Sequence, residues 1–464
     1  MAGSQNPPSS PSQSRGKKTL LVADPPKFDL ESYIQNYKGR TRLERLLHIG
    51  VCSTFLGVDA LKLAVKEAKR GKDVWRYTKA QGDLANIGPD EPEAHRDQAW
   101  MDMTEKQNTA ETNRLLAELN GYKHNLIKES VRMANEDLGK HYHAMGDLPK
   151  AFEAFSRMRQ DISVPKHIID VSKHLIDVAV EQRNWIAVTS NVAKIKSTLT
   201  SSVADEEEKA ILPYLQAAEA LAYFDGGEYH SAAVAFLNTA AGMGSTAASV
   251  ISPNDVAIYG GLCALATMDR NELQKKVLEN SSFRTYLELE PQIRRAIAFF
   301  VNSRYTACLQ ILETYRADYL LDIYMQKHID EIYYMVRSKS IVQYFIPFSC
   351  VTLDTMNQAF APPGKNIDKE LATMIQRGDL TARVNTIDRL LEAVPSNPRT
   401  ELQRGALKVT DDYSREARRR IMHMNVNMAD LEVKSTKSRG FGQGFGGSDD
   451  LYGEPVGREL RSRG

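Results

Sequence analysis

One spacing recurs through the middle of this 464-residue chain and restricts what it can fold into. Leu138, Gly139, Tyr142, Gly146, Ala151 and Phe155 lay out two helices joined by a Gly-Asp turn. Small Gly139 and Ala151 let antiparallel helices touch, Tyr142 and Phe155 fill the gap, and Gly146-Asp147 reverses the chain. The same positions return 37 residues on as Ile176, Ala179, Arg183, Val188 and Val192. At a shift of 81 they are Ala220, Tyr223, Gly227, Ala232 and Phe236, and at 157 they are Ala296, Phe299, Ser303, Cys308 and Leu312. A further unit near Leu262 to Leu278 fits in part. A hairpin of this kind cannot cover its own apolar face and stacks on its neighbours, so the spacing predicts a solenoid.

The spacing is of the tetratricopeptide type, which makes the fold class mainly α. Length allows about three domains. Hydrophobic residues at 42% and charged residues at 26% suit large buried cores. Lys plus Arg number 60 against 59 Asp plus Glu, so no net field favours nucleic acid or membrane. Cys52, Cys263, Cys308 and Cys350 lie far apart, which excludes a C-x-x-C site and predicts small core residues in a reducing intracellular compartment. No apolar run reaches the roughly 18 residues of a membrane span. Residues 1–27 are expected to form a disordered tail, with Arg15-Gly16-Lys17-Lys18 as a weak nuclear address.

Residues 28–110 carry helical stripes, including Leu30, Tyr33, Ile34 and Tyr37, then Leu43, Leu46 and Leu47, with Gly39 between them. A loop is expected around Gly88, Pro89 and Pro92. Residues 111–328 hold the repeats. Residues 329–400 open with a long helix from about Ile329 to Phe345. Two short helices follow, with Leu353, Met356 and Phe360, then Ile367, Leu371 and Met374, separated by Pro362-Pro363-Gly364. Gly378 stops the second, and Ala382-Arg383-Val384-Asn385 reads as a strand. This is the pattern of a winged helix. After Pro395 and Pro398 a short strand or loop is expected, then a helix over 411–433. There Ala417, Ile421, Met424, Met428 and Leu431 step by 4, 3, 4 and 3, a coiled-coil seam. Residues 434–464 are a Gly/Arg-rich tail that is expected to stay disordered.

Catalytic patterns are missing. There is no G-x-x-x-x-G-K-[ST], G-x-S-x-G or H-E-x-x-H, and no cofactor is expected. His141-x-His143 invites comparison with a JAMM zinc site, but the positions that should carry Ser and Asp are Ala151 and Ala154. His167 and His174, one heptad apart, read as a solvated face. A winged helix often binds DNA, and charge decides against it here. Five basic residues stand against six acidic ones between Leu353 and Val394, a net −1, where a phosphate-binding face needs clustered cations. Leu353, Met356, Phe360, Arg383, Val384 and Asn385 are therefore expected to dock protein, the strand through main-chain bonds. The Met-rich seam is expected to join a bundle of partner helices, because methionine adapts to unlike neighbours.

Helical repeats running into a winged helix resemble the PCI family, shared by the proteasome lid, the COP9 signalosome and a translation-initiation complex. The matching block runs from Leu353 through Glu370-Leu371 and Met374-Ile375 to Ala382-Arg383-Val384-Asn385. The run from Phe28 through Tyr33, Tyr37 and Arg40 to Arg45-Leu46 is similar to the signalosome branch. That resemblance implies a non-catalytic scaffold, joined to other PCI and MPN subunits through winged-helix edges and a helical bundle. The complex so formed removes NEDD8 from cullins and regulates cullin-RING ligases. The paralogous proteasome-lid branch is the near alternative, and a nucleic-acid adaptor the distant one.

Overall fold

The structure, a computed structural model, describes residues 21–124, 128–162, 164–201, 211–240, 250–361, 366–394, 398–429 and 431. The Pro362-Pro363-Gly364 break, residues 1–20 of the N-terminal tail, the last two residues of the helix expected over 411–433 and the C-terminal tail 434–464 lie outside them. The chain divides into two units, residues 1–393 and 394–464.

The repeats form as spaced. Helix α6 (Lys128–Met145) pairs with α7 (Leu148–Arg157), and α8 (Pro165–Glu181) with α9 (Trp185–Ser201). Helix α10 (Leu212–Asp225) pairs with α11 (Tyr229–Leu237), and α14 (Pro291–Val301) with α15 (Tyr305–Thr314). All four hairpins turn through one left-handed residue at the same repeat position: Gly146 (φ 93°), Arg183 (57°), Gly227 (79°) and Ser303 (61°). In each, the next N–H reaches back to the carbonyl five residues earlier. Asp147 donates to Tyr142 at 3.0 Å, Asn184 to Ala179 at 2.8 Å, Glu228 to Tyr223 at 3.0 Å and Arg304 to Phe299 at 2.8 Å. This is the Schellman closure, which satisfies carbonyls left over at the helix end. Arg183 and Ser303 adopt it at a cost of about 1–2 kcal/mol, since only glycine enters that region freely. The unit near Leu262 to Leu278 is not a fifth hairpin. Helix α12 (Pro253–Thr267) is buried on nearly every side, and a capping box between Asp269 and Glu272 restarts the chain without that turn, toward α13 (Ser281–Leu289).

Gly139 is small for a measurable reason. A Cβ there would lie 2.5 Å from Cε1 of the Phe155 ring. Phe155 is buried and stacks on His174 at 4.8 Å between ring centres, so it has little room to yield. Gly139→Val is expected to cost about 2–3 kcal/mol through overpacking, read as a lower urea midpoint.

Five helices precede the hairpins: α1 (Leu30–Gln35), α2 (Gly39–Cys52), α3 (Gly57–Arg70), α4 (Val74–Ile87) and α5 (Gln98–His124). They build their own core from Val22 to Met101, into which Ala317 of α16 (Arg316–Leu320) and Leu321 just past it insert. Two boundaries shift. The tail ends earlier than residue 27, because Val22 is buried and its N–H donates to the Cys52 carbonyl at 2.8 Å. The division at residue 110 falls inside α5, whose polar surface hides its continuity.

The second core runs without a break from Ile169 to Leu391, so the winged helix shares it with the solenoid. The winged helix consists of α17 (Ile329–Phe345), β1 (Cys350–Thr352), α18 (Leu353–Phe360), α19 (Asp368–Arg377), β2 (Ala382–Asn385) and β3 (Leu390–Ala393). The sheet is antiparallel in the order β1-β3-β2, with Leu391 opposite Val351 on one side and Val384 on the other. Gly378 ends α19 in the left-handed conformation, φ 83°. Lys339 on α17 donates to the Leu265 carbonyl at 2.9 Å and to that of Met268, capping α12. Cys52, Cys263 and Cys308 are buried as expected, but Cys350 is exposed because it alternates with inward Val351 on an edge strand.

In the second unit, α20 spans Pro398–Met428, 31 residues. The strand or loop expected before residue 411 is therefore helix. Pro398 takes the first helical position, where its missing N–H costs nothing. Glu401-Leu402-Gln403-Arg404 and Ala406-Leu407-Lys408 then supply strong helix formers. No helix among the described residues is long and apolar enough to cross a membrane.

Candidate functional site

The polar chemistry of this chain is concentrated in a joint between its beginning and its middle. Arg45 on α2 is 1% exposed, yet it lies among residues more than two hundred positions away. Its guanidinium donates to Asp255 at 2.9 Å, to Asp322 at 2.5 Å and to the Tyr33 hydroxyl at 2.5 Å, and stacks over Tyr37 at 4.1 Å. Tyr37 donates to Asp255 at 2.6 Å, and Tyr259 to Asp322 at 2.7 Å. Asp322 also accepts the N–H groups of Tyr324 and Met325, both at 2.9 Å. Burial pushes both carboxyls up, but Arg45 and these donors hold Asp322 below its ordinary value, while Asp255 stays raised. One cation thus serves two carboxylates, and tyrosine hydroxyls complete the shell. A second link joins Arg40 to Asp73 at 2.9 Å and to Glu181 at 2.7 Å.

The joint carries a pH signature. Burial first, then the charges of Arg45 and Arg183, push the His48 imidazole down from 6.5 to about 4. The unfolded chain takes up a proton below pH 6.5 that the folded one refuses. The His48 contribution is therefore complete above 6.5 and lost as pH falls toward 4, about 3 kcal/mol in all. Asp177, buried against Tyr214 and raised to about 6, works in the opposite sense. A comparison isolates His48: between pH 7 and 4.5 the melting temperature of His48→Gln is expected to fall less than that of the unaltered chain. Equal falls would contradict the assignment.

The histidines singled out by sequence are structural. His141 Nε2 lies 2.9 Å from the Thr112 hydroxyl and 3.3 Å from the Asn108 carbonyl, tying α6 to α5. His143 Nε2 is 2.9 Å from Glu181 on α8. His167 and His174 are half-buried rather than solvated. They face Glu129 and Glu136 of the preceding hairpin at 3.9 and 3.6 Å, because stacked repeats cover the side that an isolated helix would expose. Among the described residues no group of three or more His, Cys, Asp or Glu is placed to hold a metal ion.

The winged-helix residues divide. Leu353, Met356 and Phe360 are buried and belong to the core, so they are not a docking surface. Their 3- and 4-residue spacing marks an apolar face, and spacing alone does not say whether that face turns inward. Arg383 is exposed, Val384 and Asn385 are half-buried, and β2 pairs only with β3 among the described residues. Among the described residues β2 is thus an edge strand, the kind of element that can pair with a strand of another chain.

On α20, Ala417 is half-buried, while Ile421 (58%), Met424 and Met428 (86%) are exposed. The helix ends at Met428, so Leu431, also exposed, lies just past it, its N–H bonded to the Val426 carbonyl at 3.1 Å. The longer helix shows what the sequence reading left out. Leu402, Ala406, Val409 and Tyr413 carry the same stripe back toward the start, in steps of 4, 3 and 4, and all four are exposed.

Known proteins match this arrangement. The 26S proteasome subunit RPN7 family matches residues 97–276, which hold α5 to α12, and the PCI domain family matches residues 312–393, through the end of the wing. COP9 signalosome complex subunit 1 of Emericella nidulans is 49% identical over 426 residues, 89% of this chain and 85% of that one. The Neurospora crassa protein of that name is 49% identical, covering 87% of this chain and 91% of its own. The Arabidopsis thaliana one is 32% identical, covering 92% and 95%. A 26S proteasome non-ATPase regulatory subunit 6 from Dictyostelium discoideum is 21% identical over 68% of this chain. Similarity at this level over nearly the whole length, with the PCI domain in place, means that the chain belongs to the COP9 signalosome subunit 1 family.

Proposed function

We propose that the chain is a non-catalytic scaffold of the COP9 signalosome, which binds other PCI and MPN subunits and so supports removal of NEDD8 from cullins. The observation that carries this reading is α20: a 31-residue helix with a complete apolar stripe exposed along it. A stripe of that kind belongs in a bundle, since isolated helices draw most of their stability from packing. The open side of β2 offers a second contact, through main-chain bonds to a partner strand. The buried charges serve the joint between N-terminal helices and solenoid, where no substrate reaches them. Regulation of cullin-RING ligases, in nucleus and cytoplasm, is then indirect, through the assembled complex.

A direct test uses a purified NEDD8–cullin conjugate. The chain alone should leave it intact. The complex reconstituted with the chain should cleave it, and the subunits mixed without it should cleave at least tenfold more slowly. Cleavage by the chain alone, or full activity without it, would contradict the scaffold reading.

A further inference from the structure

We infer that a groove between α4, α5 and the first hairpin holds the chain's own N-terminal segment, Pro8 to Arg15. The groove consists of two hollows, of about 470 and 200 Å³, that share Tyr142 and Lys150. A trough of this form suits an extended peptide better than a compact ligand. Trp75, Tyr142 and Met145 line its apolar side. Trp75 is 70% exposed, so its ring does little for the core of its own helices.

The polar side is one face of α5. Glu105, Asn108 and Thr112, then Leu116, follow at 3- and 4-residue steps and line the trough. Part of this lining is engaged: Asn108 donates to the Lys72 carbonyl at 2.9 Å and Thr112 to the Asn108 carbonyl at 2.7 Å. Of the charged residues around the larger hollow, Lys150 and Asp147 pair at 2.8 Å, which leaves Lys72 and Glu105. The Asn113 amide and the Tyr142 hydroxyl make no hydrogen bond among the described residues. A polyproline segment has no internal hydrogen bonds, so its carbonyls need donors, and its rings settle on aromatic faces. The groove supplies both.

The sequence ahead of Leu21 is of that kind. Pro8-Ser9-Ser10-Pro11 has P-x-x-P spacing, and Arg15 follows four residues later, with Glu105 as its carboxylate. The tether has the right length. Val22 is fixed at the end of α2, its N–H on the Cys52 carbonyl at 2.8 Å. The start of α2 lies 14 residues away, roughly 20 Å along the helix. There Arg40 pairs with Asp73 at 2.9 Å and donates to the His143 carbonyl at 3.3 Å. Asp73 caps α4, whose Val74 and Trp75 line the groove. At the polyproline rise, Arg15 to Leu21 spans about 19 Å, so Arg15 reaches the mouth and the prolines lie within. A segment tethered this closely acts at millimolar effective concentration, so weak contacts fill the groove and shut out other proline-rich segments.

The test places a benzophenone amino acid at Ser12 of the full chain and maps the products of irradiation in dilute solution by mass spectrometry. Benzophenone reacts readily with methionine, so links to Met145 and Tyr142 within one chain are expected. Pro8→Ala with Pro11→Ala, and separately Trp75→Ala, should lower their yield by about tenfold, with unchanged melting temperatures. A fluorescent peptide of residues 5–18 should bind the Pro8→Ala, Pro11→Ala chain about tenfold tighter than the unaltered chain, whose own segment competes. Links scattered over the surface, links between two chains, or equal peptide binding by the two chains would overturn the inference. Each of these results would leave the scaffold reading standing.

Discussion

Arg45→Ala is expected to detach the N-terminal helices from the solenoid. Removing the cation leaves Asp255 and Asp322 buried together without a counter-charge, beside tyrosine hydroxyls arranged around them. Breaking a buried ion pair from one side costs about 3–5 kcal/mol, most of it the penalty of the stranded charge. The loss should be local before it is global, because α1 to α4 have a core of their own while the repeats have another. Hydrogen exchange should show lost protection in α2 and at the start of α12, with α10 and α11 still protected. Arg45→Lys should recover part of the stability, since an ammonium replaces the charge but not the fork that reaches both carboxylates. Unchanged protection in Arg45→Ala would mean that the apolar contacts of Ala317 and Leu321 hold the joint without the charges.

The other large effect belongs to α20. Ile421, Met424 and Met428 replaced together by aspartate should leave the melting temperature of the chain within a degree or two, because all three are exposed. In the complex the same change should be severe. Burying each large seam residue contributes about 1.5–3 kcal/mol, and three charges at the contact would forfeit that and add desolvation, so incorporation should fall at least a hundredfold. Leu402→Asp with Val409→Asp probes the part of the stripe that only the structure showed. If the bundle contact runs the whole helix, this pair should weaken assembly as well. Normal co-purification of every subunit with both variants would remove α20 from the account.

Periodicity proved legible in this chain and orientation did not. The four hairpins could be placed because apolar positions and a reversal seven residues after the first of them recur at one spacing, even in the second hairpin, where Ile176 and Val188 stand in place of the small residues. The backbone repeats even where glycine is replaced, at Arg183 and Ser303. The winged helix was legible for a similar reason: Gly378 and the alternation around Val384 mark local structure. Which way a stripe faces depends on what covers it. The faces of Leu353, Met356 and Phe360 and of Ile421, Met424 and Met428 look alike in sequence, yet the first is core and the second is surface. The start of α20 was missed because helix propensity is a weaker signal than Pro395 before it and Pro398 at its first position. The joint around Arg45 was missed because its partners are more than two hundred residues away. The stripe gave no sign of it either, because Arg45 stands two positions from Leu43, on the helix side opposite Leu43, Leu46 and Leu47, where a cation reads as solvated. Arg45 lies in the run that is similar to the signalosome branch, and Tyr33, Tyr37, Arg40 and Arg45 of that run all form the joint.

The central claim is that this chain exists as one scaffold among the subunits of a signalosome. The most direct measurement is quantitative mass spectrometry of material purified through a tag on the full chain at its natural abundance. The account predicts signalosome PCI and MPN subunits, each equimolar with the chain, and cullins in smaller amounts. Stoichiometric proteasomal ATPases and lid subunits in their place, or a chain recovered without any equimolar partner, would contradict it.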